Sequence, residues 1–313
     1  MALIRRISWK RTFFPGQGSG LGRWMIFCLL GLLGIAGPAA SQDVIEVAVS
    51  IAPQAYFAER IGGPRLKVHT LIPVGKSPAT YTPTPRQLAK IARCRLYFRV
   101  GLPFERNIVP RLQSGLGMRI IDTRRGIPLM KAQGRGTEKT KKASHGSGGE
   151  TDPHIWMDPL LAKKLAQNMR DGLMEIDPQG RTQYEQGFAA LAADLDALDK
   201  ELRRVLKPLA GRTVYVFHPA YGYFCRAYGL VQKAVESEGK EPGIKELTKL
   251  IKAARRDGVR VIFVQPQFPR KSAEAIARAI QGSVVVLDPL AKDYIANLKK
   301  VAAQISAALR KNS

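Results

Sequence analysis

Short β-branched apolar runs punctuate this chain, and segments with helical spacing separate them. In the first half the runs are residues 44–51 (Val-Ile-Glu-Val-Ala-Val-Ser-Ile), 67–72, 95–100 and 118–122. In the second half they are 213–218, 231–236, 259–264 and 283–287. Each run reads as a strand. Helical spacing covers 85–93, 104–114, 160–175, 219–228, 243–257, 270–281 and 291–310. Strand alternating with helix predicts parallel sheets with crossover helices. The expected fold is therefore α/β, with a four-stranded parallel sheet in each half.

One longer pattern lies between the halves. Tyr184, Phe188, Leu191, Leu195, Leu198, Leu202 and Val205 recur at steps of four and three, which keeps one apolar stripe along one helix face. Asp177-Pro178 offers an N-cap and a proline at the first helical position, and Pro208 and Gly211 stop the pattern. A helix over 178–206 would run about 43 Å at 1.5 Å per residue, enough to pack across two domains. Gly187 is a soft point in it, costing about 1 kcal/mol against alanine. The spacing thus predicts a domain over 41–177, a linking helix over 178–207 and a second domain over 208–313. Residues 131–151 are polar, Gly-rich and nearly free of apolar side chains, and are expected to form a mobile loop of the first domain.

The start of the chain has a different character. Arg5, Arg6, Lys10, Arg11 and Arg23 precede the apolar run 25–37, and small residues follow at Pro38-Ala39-Ala40-Ser41. That order is a secretory signal peptide over 1–40, cut near Ala40. The apolar run falls short of the roughly 20 residues that span a bilayer. The expected product is a soluble exported, periplasmic protein.

Charge changes the picture little. The chain carries 50 Lys and Arg against 25 Asp and Glu, and without residues 1–40 it keeps 45 basic residues against the same 25 acids. The charges are scattered, which with export argues for a solvated basic surface and against nucleic acid. Outside the signal segment there are two cysteines, Cys94 and Cys225. They fall in opposite halves, one before an apolar run and one in a helix, and are expected to be buried and unpaired.

Candidate chemistry concentrates at three places. Asp152-Pro153-His154-Ile155-Trp156-Met157-Asp158-Pro159 leads out of the polar loop. His218 ends the run Thr213-Val214-Tyr215-Val216-Phe217-His218, and Asp288 ends Val284-Val285-Val286-Leu287-Asp288. Both follow strand-like runs, where open α/β sheets place ligands. Two imidazoles and a carboxylate make a ligand set for a divalent metal, zinc in particular. The chain has four histidines, so two at such places carry weight. Each residue also has a plainer reading. His154 could be a loop histidine satisfied by backbone, and His218-Pro219 a helix entry. Asp158-Pro159 reads as the N-cap of the next helix. Asp288-Pro289 could cap the final helix. Trp156 reads as core packing.

These motifs together resemble the zinc/manganese-type substrate-binding proteins that serve ATP-driven metal importers. The resemblance spans residues 44–310. It rests on Pro73-Val74-Gly75-Lys76-Ser77-Pro78-Ala79-Thr80-Tyr81-Thr82-Pro83-Thr84-Pro85, on residues 152–159, on His218-Pro219-Ala220-Tyr221-Gly222-Tyr223-Phe224, on Gly239-Lys240-Glu241-Pro242 and on Asp288-Pro289-Leu290. It implies two small α/β domains joined by one long helix, with metal in the cleft between them. It also implies an ABC permease at the membrane as partner, a monomeric chain and no enzymatic reaction. Three ligand positions match His154, His218 and Asp288. The fourth, a histidine directly after Pro78 in the family, is Ala79 here. His218 resembles the zinc-type members more than the manganese-type. The loop, often rich in His and acidic residues in the family, is basic here, and Gln265 stands where relatives often have Glu.

The leading expectation is a binding protein that captures Zn2+ in preference to Mn2+, with a water or His69 at the position Ala79 leaves open. A binding protein for a metal chelate or anionic metabolite is the alternative. A two-His-one-carboxylate enzyme, with Glu241 as the only candidate acid or base, is the third reading.

Overall fold

A computed structural model describes residues 44–113, 117–132, 151–234, 244–267 and 270–310. The signal segment 1–40, Glu241 and all but the ends of the 131–151 loop lie outside the described residues. Residues 43–313 form one compact unit.

In the first half, β1 (Ile45–Val49), β2 (Leu66–Thr70), β3 (Leu96–Arg99) and β4 (Arg119–Asp122) form a parallel sheet in the order β2-β1-β3-β4. In the second, β5 (Thr213–Val216), β6 (Val231–Ala234), β7 (Val261–Val264) and β8 (Ser283–Val286) form another, in the order β6-β5-β7-β8. The two orders are the same pattern repeated. Val47, Ala48 and Val49 of β1 are fully buried, as a central parallel strand covered on both faces requires.

The crossover helices of the first half are α1 (Ala52–Gly62), α2 (Pro85–Ile91), α3 (Glu105–Gln113) and α4 (Pro159–Ile176). Those of the second are α6 (Gly222–Ala227), α7 (Ile244–Arg256), α8 (Arg270–Ala279) and the terminal α9 (Tyr294–Arg310). Helix α1 was not expected from the sequence. Its buried residues Pro53, Gln54, Ala55, Phe57, Ala58, Ile61 and Gly62 fill one broad face, and on the opposite face, Ala52, Tyr56, Glu59 and Arg60, only the last two are charged, so the polar stripe is too short to mark a helical period.

Between the halves runs α5 (Arg181–Leu206), packed on α1, α4 and α9. At 26 residues it spans about 39 Å. It starts three residues later than the spacing suggested, because Pro178–Gly180 form a 3-10 turn. Asp177 does not cap it. Its carboxylate instead accepts a two-pronged bond from Arg65 (2.8–3.0 Å) and one from the Tyr184 hydroxyl (2.6 Å). Tyr184, Leu191, Leu195, Leu198 and Leu202 are buried as the stripe predicts, while Phe188 and Val205 sit at its margins and Leu206 takes the last core position. Gly187 has a reason to be glycine. A Cβ there would lie 2.7 Å from the Arg60 carbonyl oxygen and closer still to that of Ile61, so α1 and α5 can touch only without a side chain.

One hydrophobic core runs from β1 and β3 through α5 to Val214, Val216 and α9. A smaller cluster covers the other face of the second sheet, with Tyr215, Phe217, Ile262 and Val264 against Ala254, Ile276 and Ile280. Cys94 and Cys225 are buried and unpaired. Among the described residues no helix is long and apolar enough to cross a membrane.

Candidate metal centre

The second sheet delivers His218. Strand β5 ends at Val216, and Phe217 stays in the sheet by donating its N–H to the Phe263 carbonyl at 2.7 Å. His218 comes next, half-buried. Gln265, leaving the neighbouring β7 and 1% exposed, holds both backbone groups of His218. Its Oε1 accepts the His218 N–H at 3.2 Å and its Nε2 donates to the His218 carbonyl at 3.0 Å. An ionised glutamate could accept but could not donate, so glutamine is the side chain that satisfies both groups.

The first half delivers His154. The Asp152 carboxylate accepts the His154 backbone N–H at 2.9 Å and its Nδ1–H at 2.7 Å, both on Oδ1. With the proton held on Nδ1, the lone pair of Nε2 faces outward. The following Ile155–Met157 form a 3-10 turn, and Asp158 caps α4 by accepting from the N–H groups of Leu160 and Leu161. Trp156 is fully buried, as core packing, and its Nε1 donates to the Pro289 carbonyl at 2.7 Å. The Tyr294 hydroxyl donates to the Trp156 carbonyl at 2.5 Å. Tyr223 takes the Met130 N–H at 2.8 Å and donates to the Asp152 carbonyl at 3.3 Å. A Cβ on Gly222 would come within 2.8 Å of Asp152 Oδ2, so only glycine lets α6 approach this carboxylate. The segment before α4 is thus bolted to the second half on both sides of His154.

The two histidines meet. Nε2 of His154 and Nε2 of His218 are 3.3 Å apart, with ring centroids at 5.2 Å and planes at 77°. Asp288 stands two residues beyond β8, half-buried, beside β7 whose exit residue grips His218. Its Oδ1 accepts from Gln267 Nε2 at 3.0 Å and from the Leu290 N–H at 2.9 Å, and its carbonyl accepts from Asn297 Nδ2 at 2.7 Å. It therefore shapes the turn before α9 without capping that helix. Nearby, burial and then the Asp288 charge push the Tyr221 phenol well above its ordinary pKa, so it stays neutral.

Two other residues are placed differently. Ala79 is exposed, in a turn closed by the Thr80 N–H to the Ser77 carbonyl at 3.2 Å. His69 is buried on β2, where its Nε2 meets Glu46 Oε2 at 3.0 Å. Asp152 is the residue that the motif contained and that received no role from sequence. An acid two positions before a candidate histidine ligand was the available signal.

A family model described as zinc-uptake complex component A, periplasmic, matches residues 47–308. The chain belongs to this family. A curated relative, the high-affinity zinc uptake system protein ZnuA of Bacillus subtilis, is 28% identical over 253 residues, covering 79% of each chain. A putative metal-binding protein of Chlamydia trachomatis is 26% identical over 89% of this chain and 97% of its own. Among solved structures, a crystal structure of ZnuA superimposes with a TM-score of 0.79 at 40% identity, covering 87% of this chain and all of the other. The fold expected from sequence, two four-stranded parallel sheets with a long helix between them, is the fold of this family of zinc-uptake components.

Proposed function

We propose that this protein captures a zinc ion as cargo between His154 and His218 and delivers it to an ATP-driven permease, as an exported single chain. One observation supports the ligand pair above others. Two nitrogens bound to one tetrahedral zinc at about 2.0–2.1 Å stand about 3.4 Å apart, and the two Nε2 atoms stand 3.3 Å apart. Without metal, the Nε2–H of His218 donates a hydrogen bond to Nε2 of His154. A cation replaces that proton and keeps the spacing. The Asp152 carboxylate on Nδ1 of His154 is the outer partner that metal-bound histidines use to fix their tautomer. Asp288 is the candidate third ligand and source of negative charge; its carboxylate is not already drawn within 4.8 Å of both imidazoles and would turn toward the ion. With alanine at position 79, a water completes the tetrahedron.

Two imidazoles favour zinc over manganese, which prefers oxygen ligands. The family name describes a transport component, and affinity with release is its work. Titration calorimetry of the metal-stripped protein tests the reading. A zinc isotherm tighter than the manganese one, weakened in His154→Ala and His218→Ala, is expected. A zinc isotherm that both variants leave unchanged would exclude this pair.

A further inference from the structure

The first sheet holds a second constellation that the cargo site does not use. Glu46 lies early in β1, His69 late in β2, and Cys94 in the turn that leads into β3. Parallel pairing sets Glu46 opposite Lys67 and Ala48 opposite His69, so Glu46 and His69 share one face of the sheet. One ligand atom from each of Glu46, His69 and Cys94 lies within 4.8 Å of the others. Glu46 Oε2 and His69 Nε2 are already at 3.0 Å. His69 and Cys94 are buried, whereas the Glu46 side chain is 37% exposed. The cluster therefore has a dry floor and an open side.

We propose that Glu46, His69 and Cys94 form a second, three-ligand site for a divalent cation, zinc by preference, that ties the edge strand β2 and the turn before β3 to β1. The donor set is one thiolate, one imidazole and one carboxylate, each of them a zinc donor. Tetrahedral bonds of about 2.0–2.3 Å place ligand atoms about 3.5 Å apart, so small side-chain rotations convert the observed spacing into a coordinated one. The charges close: a carboxylate, a thiolate and a neutral imidazole balance Zn2+. Lys67 Nζ sits 2.6 Å from the other carboxylate oxygen, Glu46 Oε1. That leaves Oε2 for the metal, with the carboxylate hydrogen-bonded from outside, as ligating carboxylates usually are. A water on the open side fills the fourth position.

Without metal, burial and then the Glu46 charge push the Cys94 thiol up to about 11, against the weaker pull of Lys90 and Lys67. The sulfur is then a protonated, unreactive thiol. Binding would expel that proton to solvent as the metal–sulfur bond forms.

The test uses cobalt(II), which reports a thiolate ligand by a near-ultraviolet charge-transfer band, in a His154→Ala/His218→Ala background that removes the cargo pair. We expect one cobalt per chain with that band, bleached by zinc, and a rise in melting temperature with zinc. Adding Cys94→Ser should abolish the band, and Cys225→Ser should leave it. Glu46→Gln, which keeps the thiol and its packing, should weaken binding at least tenfold while retaining the band at saturation. No band in the double variant, or a band that survives Cys94→Ser, would overturn the site. Because the cargo pair is absent throughout, either outcome is independent of the reading of His154 and His218.

Discussion

His154 and His218 are 64 positions apart in sequence, yet their Nε2 atoms lie 3.3 Å apart. Each comes from a different half of the chain and each is held by its own buried partner, Asp152 or Gln265. A pair positioned from both sides loses its chelating geometry when either member goes. His154→Ala and His218→Ala are each expected to weaken zinc binding at least tenfold, about 1.4 kcal/mol. Competition against a chelator of known affinity measures it.

Asp152 should matter almost as much without touching the ion. Asp152→Asn keeps the size of the side chain but replaces an ionised acceptor by a neutral amide, and so weakens the hold on the Nδ1 proton of His154. Outer partners of this kind typically cost about 10–100-fold in metal affinity when replaced. A loss near tenfold in zinc affinity with an unchanged zinc stoichiometry is expected. Unchanged affinity would mean that the turn before α4 alone orients the ring.

The strands were legible because buried parallel strands read as continuous apolar runs rich in β-branched residues, as in Val261-Ile262-Phe263-Val264 of β7. The long helix was legible because Leu191, Leu195, Leu198 and Leu202 leave a polar face in between. Helix α1 was hidden because its outer face, Ala52, Tyr56, Glu59 and Arg60, carries only two charged residues, too few to stand out as a polar stripe. Asp177 misled through local chemistry: Asp-Pro is a good helix start, but a tertiary partner, Arg65, claimed the carboxylate. At the candidate site the residue types were readable one by one. Their sharing of one site was expected from the strand ends and the family resemblance, not from local pattern, which carries no information about two loops brought together by separate sheets.

Gly187 sets two effects of opposite sign against each other. Alanine in an exposed helix interior would gain about 1 kcal/mol over glycine. Here the added methyl would press on the carbonyl oxygens of Arg60 and Ile61, which are backbone and cannot swing aside. Overpacking typically costs about 1–3 kcal/mol. Gly187→Ala is expected to lower stability by about 1–2 kcal/mol in a urea melt. A stabilised variant would show that α1 can move away from α5.

The Arg65–Asp177 pair predicts a pH signature. Both side chains are about nine-tenths buried. Burial opposes ionisation of Asp177, but the bonds from Tyr184 and Arg65 win and hold its pKa below the ordinary value. A depressed carboxylate pKa contributes stability that is present above the unfolded pKa, about 3.9, and lost as pH falls through the folded value. Arg65→Met leaves that carboxylate without its cation, at a cost of about 3 kcal/mol at neutral pH. The gap between the two proteins should be widest at pH 7 and shrink below pH 4. Equal gaps in urea melts at pH 7 and pH 3 would mean that the loss is packing and not charge.

Ala79 gives the sharpest test of the open ligand position. Its turn is exposed and closed by one backbone bond, so an imidazole there meets no core packing. If the turn faces the histidine pair, Ala79→His replaces a bound water by a third nitrogen. The new ligand supplies a metal bond, offset by the loss of the side chain's own rotational freedom, up to about 1.5–2 kcal/mol for the most flexible side chains. Imidazole is shorter and stiffer than those, so the balance should favour binding. Zinc affinity is expected to rise about tenfold, equivalent to 1.4 kcal/mol. The gain must vanish when His154→Ala and His218→Ala are added together, because the new imidazole is then left without the pair that seats the ion. A gain that survives would reveal an unrelated surface site, and no gain in a folded variant would place the turn of Ala79 away from the cargo.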